Sequence, residues 1–327
     1  MKQIVLIFSI LAATVAPALG WGGEGHKAIG DIAAARLNTT ARAQVIAILG
    51  NDDLGAIASW ADDVRSAARG HGPLEGDADA AQVNQDFPHN ASWHFIDMPL
   101  GSASYADAAK NGFSPKDDVI HAIKLCVATL DGTASKTPPT LTKATALKLL
   151  VHFVGDMHQP LHCCSGYYTF DADGTAHLVT DPAKAKGLEG DKGGNDLRYG
   201  TSRYEELHAF WDVDVVEGYA NSKDAAVLAT NLQPLVSASA SRDDGDYHKW
   251  PEAWATDTLA ASRKVYEGVT IGKAEFSETH KLRQIDVSID MPSYRKASEL
   301  VAGAQLAKAG FRLAELLNAI WPAPSVR

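Results

Sequence analysis

The sequence contains 327 residues, enough for one large domain or two small ones. Hydrophobic residues make up 46% of the chain and charged residues 21%, which is ordinary for a globular protein. The formal net charge of −10 argues against a broad basic surface for docking nucleic acid. Bound divalent cations can reverse the field locally, so the composition remains compatible with a phosphate-bearing substrate.

The N-terminus has the pattern of a secretory signal. Lys2 precedes a mostly apolar run over 4–13, and Ala18 and Gly20 place small residues at the −3 and −1 positions of a cleavage site before Trp21. We therefore expect residues 1–20 to be removed and residues 21–327 to form the mature domain of a secreted or periplasmic protein. An uncleaved anchor and a buried N-terminal helix are the alternatives.

Apolar residues recur at helical spacing through most of the remaining chain. Helices are predicted over 24–37, from Thr39 or Thr40 to 49, and over 53–68, 115–130, 141–157, 203–217, 223–235, 250–268 and 293–320. Segments 69–90 and 163–200 are predicted as loops, 93–98 as a short strand or extended turn, and 285–289 as the clearest strand. The mature chain is therefore predicted to be a single domain of the all-α class, a multi-helix bundle with long loops and little strand.

The three cysteines, Cys126, Cys163 and Cys164, are an odd number. In an oxidising compartment we expect a disulfide between Cys126 and one of the other two, because adjacent cysteines rarely pair with each other. Zinc ligation by cysteine is the alternative, but no second cysteine pair stands at a usual spacing for it.

The stretch from His152 to His162 concentrates three histidines, a carboxylate and a proline at the end of an apolar helical run. His152 and Asp156 are four residues apart, so a helix places them on one face about one turn apart. Pro160 disfavours helix at the preceding residue, so His162 should lie just past a break. We interpret the stretch as two ligands for one metal, a turn, and a ligand for another, with His158 as a supporting or packing residue.

Further candidate ligands stand elsewhere in the chain. His208 and Asp212 repeat the four-residue helical spacing, Asp62 follows Trp60-Ala, and His94 lies between two aromatic residues. His26 is five residues after the proposed new N-terminus. Such nitrogen and oxygen donors suit zinc, although a single His-x-x-x-Asp pair is more often a surface ion pair or a hydrogen-bonded core histidine.

These motifs, taken in order, resemble those of the zinc-dependent type I nucleases, the single-strand-specific nucleases and 3′-nucleotidases related to zinc phospholipase C. The resemblance is carried by Trp21…His26, Trp60-Ala-Asp62-x-x-Arg65, Trp93-His94-Phe95-Ile96-Asp97, His152-Phe-x-Gly-Asp156-x-His-Gln-Pro-Leu-His162, Gly193-Gly194-Asn195 and Leu207-His208-x-x-Trp211-Asp212. It extends from Trp21 to about Asp212 and rests only on helical character beyond that point.

The resemblance implies three zinc ions. The first set of ligands is Asp62, His94, His152 and Asp156; the second is His162, His208 and Asp212; the third is His26, the shared carboxylate of Asp156, and the backbone amine and carbonyl of Trp21. The amine is free only after cleavage before Trp21. The residues implied in catalysis are Asp62, Arg65 and Asp156.

The resemblance also implies substrate-binding residues. Arg65 is one helical turn from Asp62 and can reach the same phosphate, its alternative being a surface ion pair. Asn195 can donate to the phosphate, its alternative being a turn residue. Phe95 is implied as a stacking platform for an unpaired base and Asp97 as the acceptor for the edge of that base, whereas the ordinary interpretation of Phe95 is core packing.

The sequence departs from the family pattern in three places. The loop over 163–200 is longer than usual, the cysteine pattern differs from that of the fungal members, and the segment 278–292 has no counterpart that we can place. We expect the long loop either to cover the active-site cleft or to alter substrate choice.

The implied function is hydrolysis of single-stranded DNA and RNA to 5′-phosphorylated products, with removal of 3′-phosphate from nucleotides, by a monomeric secreted enzyme. A zinc-dependent phospholipase C is the alternative enzyme, although its resemblance leads us to expect Glu where this chain has Asp212. A non-catalytic zinc-binding or adhesion protein is the alternative from another class, and it gives no role to Arg65, Phe95 and Asp97.

Overall fold

A computed structural model describes residues 20–202, 205–238, 243–277 and 281–324. Its helices are α1 (Gly22–Ala35), α2 (Thr39–Leu49), α3 (Trp60–Ala67), α4 (Ala78–Asp86), α5 (Tyr105–Lys110), α6 (Val119–Asp131), α7 (Lys143–His158), α8 (Pro182–Ala185), α9 (Leu207–Ala209), α10 (Val215–Ala220), α11 (Ala225–Ala238), α12 (Trp250–Glu267) and α13 (Met291–Ile320). The mainly α prediction is therefore confirmed.

Helix α7 is the central element of the core. It packs against α1, α3, α6, α12 and α13, and from Leu149 to His158 every one of its residues is buried. The predicted apolar stripe, Leu147, Leu150, Val151 and Val154, is fully buried. A polar side chain on a helix that is buried on all sides costs free energy unless it has a partner, so the histidines and the aspartate of this helix require an explanation.

Most helix boundaries differ from prediction by a few residues, and the differences at α2, α3 and α9 are informative. The cap of α2 is Asn38, whose side chain accepts from the Ala41 amide, so neither Thr39 nor Thr40 fills that role. Helix α3 begins at Trp60 rather than at residue 53, because the preceding residues form hydrogen-bonded turns such as Ala58 N to Gly55 O. The predicted start of the helix at residue 203 lies outside the described residues, and α9 begins at Leu207.

The predicted loop over 69–90 contains a helix, so that assignment was wrong. Asp77 caps α4 by accepting from the Ala80 amide, and α4 packs against α3 through the buried Ala80 and Val83. Only these two residues of α4 are buried, and most of the rest of the segment is polar. Its hydrophobic periodicity is therefore weak, and its composition indicated a loop.

Small sheets replace much of the predicted loop over 163–200. The strands are β1 (Met98–Pro99), β2 (Cys164–Ser165), β3 (Tyr167–Phe170), β4 (Ala176–Val179), β5 (Glu189–Gly190), β6 (Leu197–Arg198), β7 (Val269–Phe276) and β8 (Leu282–Ile289). They form sheets of order β1-β2, β4-β3-β5 and β6-β8-β7. The predicted strand at 285–289 lies within β8, and its partner β7 was missed.

The segment predicted as a short strand or extended turn at 93–98 divides into two parts. A 3₁₀ turn covers Asn90–His94, and the extended residues after it lead into β1, which pairs in parallel with β2. The Ile96 amide donates to the His162 carbonyl at 2.7 Å, which holds the two segments side by side. His94 and His162, distant in sequence, are thereby brought together.

The predicted disulfide is not formed. Cys126, Cys163 and Cys164 are all free and buried. Cys126 lies in the interior of α6, while the Cys163 thiol is directed back at the Met157 carbonyl, 3.0 Å away. Burial raises the pKa of all three thiols.

Residues 1–19, which contain nearly all of the predicted signal, lie outside the described residues. Among the residues that the structure does describe, no helix combines the length and apolarity needed to cross a membrane.

Asp191 fixes the Gly-rich tip between β5 and β6. Its fully buried carboxylate accepts hydrogen bonds from the hydroxyls of Tyr168 and Tyr266, at 2.8 and 3.0 Å, and from the amides of Gly166 and Gly194, both at 3.1 Å. One side chain therefore joins α12, β3 and the tip. Burial raises the pKa of Asp191 to about 7, although these hydrogen bonds oppose the shift.

We predict that Asp191 makes the protein less stable as pH rises. A carboxyl group whose pKa is higher in the folded state than in the unfolded state stabilises the folded protein. This stabilisation is fully present below the unfolded pKa of 3.8 and is lost as pH rises through about 7. The shift corresponds to roughly 4 kcal/mol in the free energy of unfolding. In urea unfolding, the free energy of unfolding of wild type minus that of Asp191→Asn should fall by that order from pH 4 to pH 8.

The matched control is Asp79→Asn, since the Asp79 side chain is 54% exposed and its ion-pair partner is a lysine, Lys148, rather than a histidine. Its free energy of unfolding relative to wild type should show no change of that size between pH 4 and pH 8. If the free energy of unfolding of wild type minus that of Asp191→Asn stayed constant or rose with increasing pH, the prediction would be contradicted.

Candidate metal centre

The site is built on the C-terminal end of α7. Thr142 caps the start of this helix, and Gln159, in extended conformation before Pro160, ends it. His152 and Asp156 project from one face, with His152 Nε2 and Asp156 Oδ2 3.0 Å apart. His162 follows the break, in the 3₁₀ turn Pro160–His162, and aims its ring back at Asp156. The predicted arrangement of ligand pair, turn and further ligand is thus present.

Two other segments complete a first group around His152 and Asp156. His94 Nδ1 lies 2.8 Å from Asp156 Oδ2, and His152 Nε2 lies 3.7 Å from Asp62 Oδ2. All four side chains are 3% exposed or less. The residues predicted from the family resemblance as the first ligand set therefore meet at one point.

His162, His208 and Asp212 form a second group, whose ligand atoms all lie within 4.8 Å of one another. His208 Nε2 is 3.3 Å from Asp212 Oδ2, and the His162 and His208 rings stack with centroids 5.0 Å apart. Asp212 stands in a π-helical turn, Phe210–Asp214, that follows α9. The Gln159 amide donates to Asp212 Oδ1 at 2.7 Å and so orients this carboxylate.

His26 adjoins the first group. Its Nε2 is 3.3 Å from Asp156 Oδ1, and its ring stacks on His152 with centroids 4.0 Å apart. Ligand-atom spacing also places His26 with Asp62 and His152. The distances therefore fit two groupings, of which the resemblance selects the one through Asp156.

The backbone at Gly20 and Gly155 passes close to these ligands. A Cβ on Gly155 would lie 2.7 Å from His26 Nδ1, and one on Gly20 would lie 2.1 Å from Asp156 Oδ1. Trp21 is fully buried, and its indole N–H donates to the Gly155 carbonyl at 3.0 Å. Trp21 is thereby anchored close to Asp156, the carboxylate with which the family resemblance implies that it shares a metal.

The donor set fits a metal because several buried polar atoms here have no hydrogen-bond partner among the residues that the structure describes. The orphaned atoms are His26 Nδ1 and Nε2, Asp156 Oδ1, His162 Nε2, His208 Nε2 and Asp212 Oδ2. Three of the rings are held by their other nitrogen, since His152, His162 and His208 each donate Nδ1–H to a backbone carbonyl at 2.7 Å. That bond directs the Nε2 lone pair inward, the arrangement typical of metal-binding histidines.

At four of the five histidines the electrostatics favour neutral imidazole, the form that binds metal. Burial lowers the pKa of His26, His94 and His208, and lowers that of His162 to about 3. At His152 burial also lowers the pKa, but the Asp156 and Asp62 carboxylates outweigh it and raise the value to about 9. Burial raises the pKa of Asp156, but His152 and His162 overcome it and hold that pKa well below its usual range.

A pocket of about 270 Å³ opens onto the ligands. Its lining residues are Arg65, His94, Phe95, Asp97, Leu161, His162, Lys192, Asn195 and His208. Larger cavities of about 330 and 410 Å³ lie elsewhere on the described surface, but none of the metal ligands predicted here lines them. All four predicted substrate-binding residues therefore share the pocket that adjoins the candidate metal centre.

The pocket residues differ in how they are held. Phe95 is 38% exposed, so it is not a core residue. Arg65 Nη2 donates to Asp62 Oδ1 at 2.7 Å, an ion pair largely shielded from solvent. The Asn195 amide donates to the Lys192 carbonyl at 2.7 Å, so Asn195 does act as a turn residue while lining the pocket.

Sequence reasoning missed Lys192 as a pocket residue. Its backbone φ of +54 is unusual for a residue with a side chain, and its ammonium group pairs with Asp196 at 2.8 Å. The Gly-rich tip was identified from the sequence, but which of its side chains faces the pocket depends on folding.

His158 lies outside the ligand groups. Its Nδ1 donates to the Val154 carbonyl at 2.7 Å, and its Nε2 accepts from Arg312 at 3.1 Å. Burial and the Arg312 guanidinium lower the pKa of His158 to about 3. Both ring nitrogens are thus occupied, as expected for a supporting residue.

Comparison with known proteins agrees with this geometry. A family model described as S1/P1 Nuclease matches residues 21–322. The chain is 27% identical to Nuclease S1 of Aspergillus oryzae, with 98% of this chain and 99% of that protein aligned. It is 25% identical to Nuclease P1 of Penicillium citrinum, over 92% and 97%, and 24% identical to Endonuclease 2 of Arabidopsis thaliana, over 97% of both. The chain therefore belongs to the S1/P1 nuclease family and is a nuclease hydrolase.

Proposed function

We propose that this nuclease binds three zinc ions, hydrolyses single-stranded DNA and RNA to 5′-phosphorylated products, and removes 3′-phosphate from nucleotides. The observation that carries the proposal is the set of inward-facing, unpartnered imidazole and carboxylate atoms that adjoins a pocket with an exposed aromatic ring. Nitrogen and oxygen donors without thiolate suit zinc in a catalytic site.

The proposed ligands follow the three groups. Asp62, His94, His152 and Asp156 hold the first zinc; His162, His208 and Asp212 hold the second; and Trp21, through its amine and carbonyl, His26 and Asp156 hold the third. When bound, the zinc ions neutralise phosphate charge and lower the pKa of the attacking water.

The side chains around the metals bind and orient the substrate. Arg65, held by Asp62, presents its guanidinium to the phosphate, where charge-assisted hydrogen bonds are strong. Lys192 and Asn195 line the same pocket from the Gly-rich tip. The protein's net charge is −10, so these few cationic groups and the metals supply the local positive field.

Selection of single strands rests on Phe95 and Asp97. An unpaired base can stack on the exposed Phe95 ring for roughly 1–3 kcal/mol, a contact that a base inside a duplex cannot make. Asp97 accepts hydrogen bonds from the edge of that base. Asn195 and Arg65 would then hold the adjoining phosphate.

Export and processing complete the proposal. We place the enzyme outside the cytoplasm, as a secreted or periplasmic monomer that begins at Trp21. The proximity of Gly20 to Asp156 and His162 supports cleavage before Trp21, since removing Gly20 clears the space beside the ligands. A free amine at Trp21 then becomes available to metal.

The two other functions considered are less well supported. A phospholipase C would share the ligand groups, but the family match is to nucleases, and a phospholipase C is expected to have Glu where this chain has Asp212. A non-catalytic zinc protein has no use for a pocket that combines Arg65, Phe95 and Asp97 beside the metal centre.

The proposal predicts activity that depends on zinc. Protein purified from an exporting host should begin at Trp21 by N-terminal sequencing and contain three zinc ions per chain. It should cleave single-stranded DNA, RNA and a 3′-nucleotide, and should lose all three activities on chelation and regain them with Zn²⁺.

Short-chain phosphatidylcholine serves as the comparison substrate in the same assay. Hydrolysis of that lipid without nucleotide hydrolysis would favour the phospholipase. Full nuclease activity after exhaustive chelation would rule out the proposed metal chemistry.

Asp156→Asn should remove both the metals and the activity. An amide is a neutral and weaker ligand, so the zinc ions that share Asp156 should dissociate, and we expect kcat/KM to fall on the order of 10³-fold or more. Zinc analysis and kinetics on single-stranded DNA measure the two effects.

Asp79→Asn is the matched control, because the Asp79 side chain is 54% exposed and pairs at the surface with Lys148, 3.6 Å away. It should keep the wild-type zinc content and activity. An Asp156→Asn variant that retains both would show that Asp156 is not the shared ligand.

A further inference from the structure

The hydroxyl of Ser165 connects two parts of the site. Ser165 is buried in β2, with 1% of its surface exposed. Its Oγ donates to Asp97 Oδ1 at 2.6 Å and accepts from the Gly193 amide at 2.8 Å. The hydroxyl is thus used both as a donor and as an acceptor. The residue to which it donates, Asp97, lines the pocket and is assigned to base recognition in the proposed function.

Ser165 binds one oxygen of the Asp97 carboxylate, Oδ1, and leaves the other oxygen, Oδ2, for a ligand. Asp97 is partly buried and lines the pocket with Phe95. The Tyr167 hydroxyl donates to the Asp97 backbone carbonyl at 2.9 Å, which fixes the backbone at this position. Within the described part of the chain, no hydrogen bond to Asp97 Oδ2 is found, while Oδ1 is bound by Ser165.

The other partner of Ser165 belongs to the Gly-rich tip that supports a candidate metal ligand. The Gly193 carbonyl accepts from His208 Nδ1 at 2.7 Å. Gly193 has a φ of +61, and a Cβ there would lie 2.1 Å from the Leu161 carbonyl oxygen, so the tip is tightly seated. A continuous path of hydrogen bonds therefore runs from Asp97 through Ser165 and Gly193 to His208.

We infer that Ser165 is a positioning residue for base discrimination: it holds the Asp97 carboxylate so that Oδ2 faces the base stacked on Phe95, and it ties that carboxylate to the tip beside His208. This inference rests on the proposed function. A carboxylate oxygen is only an acceptor, so it recognises bases with N–H groups on their pairing edge. Guanine, which presents two adjacent N–H groups, should benefit most.

The test is Ser165→Ala, assayed on a guanine dinucleotide and on the same dinucleotide with abasic sugars. A freely rotating Asp97 should raise KM for the guanine substrate about tenfold, the scale of one hydrogen bond to a charged group. The kcat for both substrates and the KM for the abasic substrate should change by less than about threefold. Zinc content should remain that of wild type.

Two comparison variants separate positioning from simple loss of packing. Ser262→Ala removes another fully buried hydroxyl, one that donates to the Pro160 carbonyl at 2.6 Å and does not contact Asp97. It should leave the ratio of guanine to abasic KM unchanged. Ser165→Cys keeps the side chain near its original size with a weaker donor, and should give an intermediate ratio even if the alanine variant folds poorly.

A double-mutant cycle with Asp97→Ala completes the design. If Ser165 acts through Asp97, then Ser165→Ala should have no further effect on the KM ratio in the Asp97→Ala background. An unchanged ratio in Ser165→Ala, or equal loss of kcat on both substrates together with loss of zinc, would overturn the inference. A wild-type protein inactive on all nucleotide substrates would instead show that the proposed function itself is wrong.

Discussion

The site depends on one buried carboxylate surrounded by imidazole rings. Asp156 has no exposed surface, yet His26, His94, His152 and His162 each place a ring nitrogen between 2.8 and 3.5 Å from its oxygens. A charge buried in this way is costly unless it is paired. Four rings cannot all be cationic at such distances, because their mutual repulsion and burial both favour the neutral form. A bound divalent metal would resolve the conflict, because the carboxylate and the lone pairs of neutral rings would both serve as its ligands.

The rest of the fold acts to hold the ligands in that arrangement before metal binds. Three rings are oriented by backbone carbonyls, at Ala58, His94 and Gly193, which belong to three separate segments. The Gly193 carbonyl belongs to the tip that Asp191 holds in place, and Asp191 is not among the candidate ligands. A change that shifts one of these segments therefore alters ligand geometry without touching a ligand, and this is how loops such as 163–200 contribute to function.

What the sequence predicted well was local. The His152–Asp156 and His208–Asp212 pairs follow from helical spacing, and the break before His162 follows from Pro160. What it missed depends on contacts between distant segments. Strand β7 forms by pairing with β8. The Cys163 thiol contacts the Met157 carbonyl instead of another thiol. The role of Ser165 depends on Asp97 and Gly193, both far from it in sequence. The family resemblance supplied ligand assignments for which spacing alone has no basis, such as Trp21 with His26 and Asp156.

The acidic character of the whole chain and its anionic substrate are compatible because attraction is confined to the pocket. A surface of net negative charge repels a polyanion at long range, but screening limits that effect to about 10 Å at moderate salt. Arg65 and Lys192 line the pocket, and bound metals would add the further positive charge that reverses the sign of the field there. In the proposed binding mode a phosphate enters deeply, with its base turned onto Phe95. A duplex holds its bases inside the stack, so the same geometry that overcomes the charge of the protein also favours the single strand.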